Sequence, residues 1–95
     1  MAVKIIIRRN VTKEARDEAY PLFLRLREGA MSQDGYISGE TLRNFDDPND
    51  HVVISTWRSI DDWKAWEKSP QRKEIQTHLD TILGEKTEYN VYHYA

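Results

Sequence analysis

The sequence predicts an α+β fold of the ferredoxin-like type, in which a four-stranded antiparallel sheet carries its helices on one face. Two observations lead to this prediction. Short segments rich in β-branched and aromatic residues alternate with stretches in which apolar residues recur every three or four positions. The order of these segments along the chain is β-α-β-β-α-β, which is the order of that fold.

The first half of the chain supplies one strand and one long helix. The segment "VKIIIRR", Val3 to Arg9, is short and β-branched, as expected for a strand buried on at least one face. Thr12 is placed to cap a helix from Lys13 to about Ala30, whose apolar residues form one stripe. Pro21 lies within this helix and should kink it or end its first segment.

The second half supplies three strands and two helices. The segments "YISGETLRNF" and "HVVISTW" read as strands joined by the turn "DDPND". Ser59 and Asp62 have the spacing of a capping box that opens a short helix. Ser69-Pro70 predicts the start of another helix that ends near Gly84. The aromatic-rich segment "TEYNVYHY" closes the chain as the last strand.

Composition narrows the classes of function. A length of 95 residues predicts one domain, residues 1–95, without a separate catalytic module. The net charge of −2, from 14 basic and 16 acidic residues, argues against nucleic acid or a membrane surface as the main partner. The absence of cysteine removes disulfides and thiolate chemistry. With no leader-like or bilayer-spanning segment, the expected location is the cytoplasm.

Side-chain alternation in the last two strands indicates that both faces of the sheet are partly apolar. In the third strand one face carries Val52, Ile54 and Thr56, and the other carries His51, Val53, Ser55 and Trp57. In the last strand Tyr89, Val91 and His93 oppose Asn90, Tyr92 and Tyr94. Helices can cover only one face, so we expect a homodimer in which two sheets meet and form a barrel-like body. The same mixture of aromatic and polar groups is typical of an apolar ligand pocket.

The segment "VVISTWRSIDDWKAWEKSPQRKEIQTHL" resembles the antibiotic biosynthesis monooxygenase domain family. The resemblance rests on a strand that ends in Trp57, on Ser59, on Trp66 and Ser69 around the short helix, and on His78 in the last helix. It implies a dimeric α/β barrel. It also implies a monooxygenase that oxidises a small aromatic or quinol-type substrate with O₂, without metal, flavin or nicotinamide. In that chemistry the substrate supplies the electrons, and the protein orients its anion and excludes water.

The candidate site residues follow from the resemblance and from the predicted elements. Trp66 is expected to position the substrate and stabilise its anion, and His78 is expected on the apolar stripe of its helix as the group that transfers a proton. The expected substrate-binding residues are Tyr36, Asn44, Trp63, Tyr89 and His93. The alternative is structural: both tryptophans anchor the short helix and His78 is a hydrogen-bonded core residue. Three dispersed histidines predict no metal site, and no cofactor is expected.

Two other functions stay open at this point. One is a non-catalytic barrel that binds a small ligand. The other is haem degradation, for which the resemblance would require an asparagine on the first strand and a histidine ten residues after Trp66. Those two positions hold Ile7 and Gln76, so haem degradation is the weaker interpretation.

Overall fold

The fold is described by a computed structural model of residues Met1–Ala95. Its strands are β1 (Val3–Asn10), β2 (Tyr36–Arg43), β3 (Asp50–Trp57) and β4 (Glu88–His93), and its helices are α1 (Arg16–Met31), α2 (Ile60–Glu67) and α3 (Pro70–Leu83). The strands form one sheet in the order β2-β3-β1-β4, and each neighbouring pair is antiparallel. The predicted ferredoxin-like arrangement is confirmed.

The helices cover the face of the sheet that alternation assigns to the core. On β1 the buried side chains are every second residue, from Val3 to Arg9. Val3 pairs with Trp57 on β3 and with His93 on β4, so these residues share that face. The predicted division of β3 and β4 into two faces is therefore confirmed.

Helix α1 runs through Pro21 without ending, so the predicted end of its first segment is wrong. A short 3-10 helix, Lys13–Ala15, precedes it, and the Thr12 side chain makes no capping hydrogen bond. Pro21 lies on the exposed side of α1, where water can satisfy the carbonyl of Asp17 that a proline cannot reach.

The boundaries of α2 and α3 agree with the predicted capping residues. Ser59 Oγ accepts a hydrogen bond from the Asp62 backbone N–H at 3.2 Å, and Ser69 Oγ accepts one from Arg72 N–H at 3.1 Å. Gly84 ends α3 in the left-handed region with φ of 72°, a conformation that glycine adopts without strain. These caps fix where each helix starts, and with it the side chains that face the sheet.

Two groups of buried residues form the core. One lies beneath α2 and the end of α1 and consists of Val3, Ile5, Ile7, Trp57, Trp63 and Trp66. The other joins α1 to α3 and consists of Val11, Ala19, Leu22, Ile75 and Leu79. The half-buried Leu26 on α1 contacts both groups. Tryptophan supplies much of the volume between helices and sheet.

The outer face of the sheet is uncovered in the single chain. It carries Ile6, Val52 and Ile54, which are half-buried, and the more exposed Leu42 and Tyr92. Charged side chains flank this apolar strip, including the ion pair between Arg8 and Asp50 at 2.8 Å. None of the helices combines the length and apolar character needed to cross a bilayer.

Gly29 lies where α1 approaches the indole of Trp66. A Cβ on Gly29 would overlap the ring of Trp66, so we predict that Gly29→Ala lowers the free energy of unfolding by about 1–3 kcal/mol. Helix propensity alone would predict the opposite change, since it favours alanine over glycine by about 1 kcal/mol. Chemical denaturation measures the difference, with Glu28→Ala at the exposed neighbouring position as the control. A Gly29→Ala variant as stable as the wild type would show that Trp66 is packed more loosely.

Candidate functional site

A cavity of about 380 Å³ lies between α1 and the β2–β3 half of the sheet. Its volume is within the range of about 300–1,000 Å³ that is usual for small-molecule sites. The exposed residues of its lining, among them Leu24 on α1 and Thr41 on β2, indicate that it opens between that helix and that edge strand. The wall is mostly apolar and aromatic, with a few polar groups.

The cavity exists because large and small side chains are unevenly distributed around it. Trp57, Trp63 and Trp66 are each at most 3% exposed and fill the space beneath α2 and the end of α1. Gly39 and Ser55, on β2 and β3, face the cavity with little side-chain volume. The tryptophans therefore hold the helices away from the sheet. Gly39 admits the Tyr36 hydroxyl, and Ser55 is too small to fill the space in front of it.

Three of the predicted site residues line this cavity: Tyr36, Trp63 and Trp66. Tyr36 packs edge-on against Trp57, with ring centroids 5.4 Å apart, and its hydroxyl lies over Gly39. The Trp66 indole N–H makes no hydrogen bond within the chain, whereas the Trp57 N–H donates to Ser55 Oγ at 3.1 Å. Trp66, a residue of this wall, therefore has an N–H donor without a partner in the protein.

The other four predicted residues lie outside the cavity. His78 is exposed, so its predicted orientation toward the sheet is wrong: it is offset by about 100° around the helix from Leu79, which is buried. Asn44 closes the turn after β2 by donating to Asp50 Oδ2 at 3.0 Å. Tyr89 lies on the far side of Trp63, with ring centroids 5.7 Å apart. His93 is exposed at the end of the edge strand β4.

His51 on β3 is the imidazole that lines the cavity. Its ring packs on Phe23 with centroids 6.0 Å apart, and its Nε2 accepts a long hydrogen bond of 3.4 Å from Arg43 Nε. Burial lowers the pKa of His51, and the nearby charges of Arg43, Arg16 and Arg9 lower it further. The neutral imidazole, which can accept a proton, is thus the favoured form near pH 7. Alternation in β3 placed His51 on the same face as Trp57, so the sequence contained this signal.

Two buried arginines also line the cavity, and the sequence analysis did not identify either. Arg9 and Arg72 are each 6% exposed. Arg9 donates to Gln76 Oε1 at 3.0 Å and to Thr87 Oγ1 at 3.2 Å. Burial and the charge of Arg72 lower the pKa of Arg9 to about 10, so it is still protonated at neutral pH. The signal was present: Arg9 continues the buried alternation of β1, and Arg72 precedes Ile75 by one helical turn.

The arrangement can bind a flat apolar molecule and stabilise negative charge on it. Aromatic rings supply the walls, and the Trp66 N–H and Tyr36 hydroxyl are donors placed in those walls. His51 is the proton acceptor within the cavity, and two guanidinium groups make its interior electropositive. These are the groups that the formation of a bound phenolate requires.

The family model described as antibiotic biosynthesis monooxygenase matches residues 2–78. No curated protein sequence matches the chain. The match includes β1, all residues of the cavity wall and the start of α3.

Solved structures of similar fold cover nearly the whole chain. A conserved protein from Methanosarcina mazei Go1 has a TM-score of 0.91 and 22% identity, covering 100% of this chain and 94% of its own. SnoaB, a cofactor-independent oxygenase from Streptomyces nogalater, has a TM-score of 0.86 and 22% identity. The match covers 99% of this chain and 93% of SnoaB. Rv0793 from Mycobacterium tuberculosis has a TM-score of 0.87 and 18% identity. The match covers 100% of this chain and 96% of Rv0793. At these identities the likeness shows the shared fold.

The electrostatic environment of His51 generates a prediction about its titration. NMR should give His51 a pKa below the ordinary value of 6.5, and Arg43→Gln should move that pKa part of the way back, since burial is the larger cause. Because protonation then favours the unfolded chain, the free energy of unfolding should fall as pH drops below 6.5, and it should fall less in His51→Gln. A His51 pKa above 6.5 would contradict this description of the cavity.

Proposed function

We propose that this chain, which belongs to the antibiotic biosynthesis monooxygenase family, oxidises a small electron-rich phenol or quinol with O₂ and without a prosthetic group. The observation that carries the proposal is the aromatic cavity, which combines the free Trp66 N–H with a neutral imidazole at His51. SnoaB, which has a similar fold, is named as a cofactor-independent oxygenase, and this supports the reaction class.

The first step is loss of the phenol proton. His51 accepts it, because burial and, to a smaller extent, the surrounding arginines lower its pKa and hold the imidazole in its neutral form. The same positive charges favour the phenolate over the phenol, since they stabilise the anion in a site from which water is largely excluded. The Trp66 N–H and the Tyr36 hydroxyl are the proposed donors to the phenolate oxygen. This assignment places the base on β3, replacing the expected base at His78 on α3.

The second step is reaction of the phenolate with O₂. The phenolate gives one electron to O₂, and the resulting superoxide joins the ring carbon para to the oxygen to form a peroxide. His51 returns its proton to the terminal oxygen of the peroxide, and loss of water, which takes the para C–H hydrogen, leaves a quinone. One phenol and one O₂ therefore become one para-quinone and one water, and the substrate supplies all four electrons. The protein contributes orientation and charge stabilisation, which can lower a barrier without any redox group of its own.

We also propose that the active form is a homodimer in which a second copy covers the outer face of the sheet. Ile6 pairs with Ile54 across β1 and β3 at the centre of this face, and Leu42 and Tyr92 extend the apolar strip toward the two edges. A small chain that leaves such a strip in water gains stability when an identical strip covers it. Dimerisation would also restrain β2, the edge strand at the mouth of the cavity.

The oxidation can be tested by O₂ uptake and quinone formation with a naphthol whose para position is free. Trp66→Phe, which keeps an aromatic ring but removes the pyrrole part of the indole with its N–H, should lower kcat/KM about tenfold. His51→Gln should lower it roughly a hundredfold, the lower range for loss of a general base. His78→Gln is the matched control and should change kcat/KM less than about twofold. Uncatalysed oxidation is subtracted for each variant.

Three outcomes decide between the functions. Loss of turnover in both His51→Gln and Trp66→Phe, with folding intact by circular dichroism, supports the proposed chemistry. Loss in His78→Gln with activity retained in His51→Gln would contradict the assignment of the base. Tight binding of naphthols by the wild type without O₂ uptake would indicate a ligand-binding protein.

The homodimer can be tested by light scattering coupled to size exclusion. The wild type should have twice the chain mass of 11.2 kDa at micromolar concentration. Ile54→Lys, which introduces a charge at the centre of the outer face, should give the single-chain mass. Met31→Lys makes the same change at an exposed site at the end of α1 and should stay dimeric. A wild type of single-chain mass would contradict the dimer.

A further inference from the structure

Arg72 is a buried cation without an anionic partner. It is 6% exposed, lines the cavity from the first turn of α3, and also borders a second depression on the side of Tyr89. The two ion pairs of the chain, Arg8–Asp50 and Arg58–Asp62, both lie elsewhere on the surface. Its guanidinium makes no hydrogen bond to any other residue, and its nitrogens border accessible space instead of being enclosed in the core.

Aromatic rings hold the Arg72 guanidinium in place. Its central carbon lies 5.2 Å from the ring centroid of Trp63 and 5.6 Å from that of Tyr89. Such cation–π contacts attract the charge, but they supply no oxygen acceptor for its five N–H donors. The side chain is therefore fixed while its hydrogen-bonding capacity is unused.

The nearby carboxylates do not compensate for this charge. Glu67 and Asp80 act on Arg72 only through longer-range attraction, which is weaker than the effect of burial on its pKa. Asp80 is already occupied, since its Oδ1 accepts from Gln76 at 2.7 Å and from the Thr87 hydroxyl at 3.0 Å. That network ends on Arg9, which is the second cation of the cavity wall.

Arg9 and Arg72 together leave this end of the cavity positively charged. The charge of Arg72 lowers the pKa of Arg9, which places the two guanidinium groups within electrostatic range of each other. Arg9 uses two of its five N–H donors on the neutral groups of Gln76 and Thr87. Asp80 is thus the one carboxylate linked by hydrogen bonds to this pair of arginines, and Arg72 is the arginine whose side chain makes no hydrogen bond to the protein.

We infer that the cavity binds aromatic ligands that carry a carboxylate, and that Arg72 is the residue that pairs with it. This inference rests on the proposed function for the identity of the cavity as the substrate site, and it narrows the substrate to anionic phenols. A carboxylate is planar and singly charged, so it matches one guanidinium fork whose donors are free. The mostly apolar wall accommodates the attached ring.

The test compares the binding of naphthoate with that of naphthamide, its uncharged analogue of nearly the same shape. Neither compound has a phenol to oxidise, so binding is measured apart from turnover, by quenching of the tryptophan fluorescence. The wild type should bind naphthoate at least about tenfold more tightly, as expected for charge-assisted hydrogen bonds. Arg72→Gln should abolish this preference, and Arg72→Lys should retain part of it.

Arg25→Gln is the matched control, because it removes one positive charge from an exposed position of α1 outside the cavity. It should leave the preference for naphthoate unchanged. Thermal unfolding of each variant checks the fold, and Arg72→Lys keeps the test informative if Arg72→Gln unfolds. Because Arg72 has no protein acceptor to lose, we expect Arg72→Gln to fold.

The inference is overturned if the wild type binds the two compounds equally, if neither binds at millimolar concentration, or if Arg72→Gln keeps the preference. A preference for naphthoate that depends on Arg72, together with absent O₂ uptake by naphthols and by hydroxylated naphthoates, supports the carboxylate site and contradicts the oxygenase. O₂ uptake that is the same for naphthols with and without a carboxylate supports the oxygenase and contradicts the carboxylate site.

Discussion

The packing of three tryptophans between the helices and the sheet determines the rest of this structure. Trp57, Trp63 and Trp66 are too large for a close approach of α1 and α2 to the strands. Ser55 on β3 is too small to fill the resulting gap, and Gly39 on β2 leaves room for the Tyr36 hydroxyl at its wall. Core and cavity are thus two results of the same unequal distribution of side-chain volume, and the residues that stabilise the fold also form the wall of the site.

The polar groups of the cavity gain their properties from this packing. Burial beneath the helices lowers the pKa of His51 and leaves Arg72 among aromatic rings without an acceptor. In water the same side chains would be a partly protonated imidazole and a hydrated cation. A site with a neutral base and unpaired positive charge favours a ligand that gives up a proton and carries negative charge. The proposed phenol oxidation and the proposed carboxylate have this common origin.

The sequence predicted the fold well because its signals are local. Ser59 and Ser69 mark the starts of α2 and α3 because each caps its helix. Alternation assigns each residue of β3 to the core face or the outer face of the sheet. The site was only partly predicted, because a cavity depends on side chains from several elements. The predicted orientation of His78 was wrong because His78 lies about 100° around α3 from the buried Leu79, outside the apolar stripe of that helix. Arg72 was missed because arginine is ordinarily exposed, although its position one turn before Ile75 marked it as inward-facing.

A crystal structure of the protein with a bound hydroxylated naphthoate tests the central claim most directly. If the tryptophans keep the cavity open for a ligand, the ring should lie between α1 and the β2–β3 half of the sheet, in van der Waals contact with Trp66. A ligand found only on the outer face, with α1 packed against Ser55 and no space beside Trp66, would contradict the account.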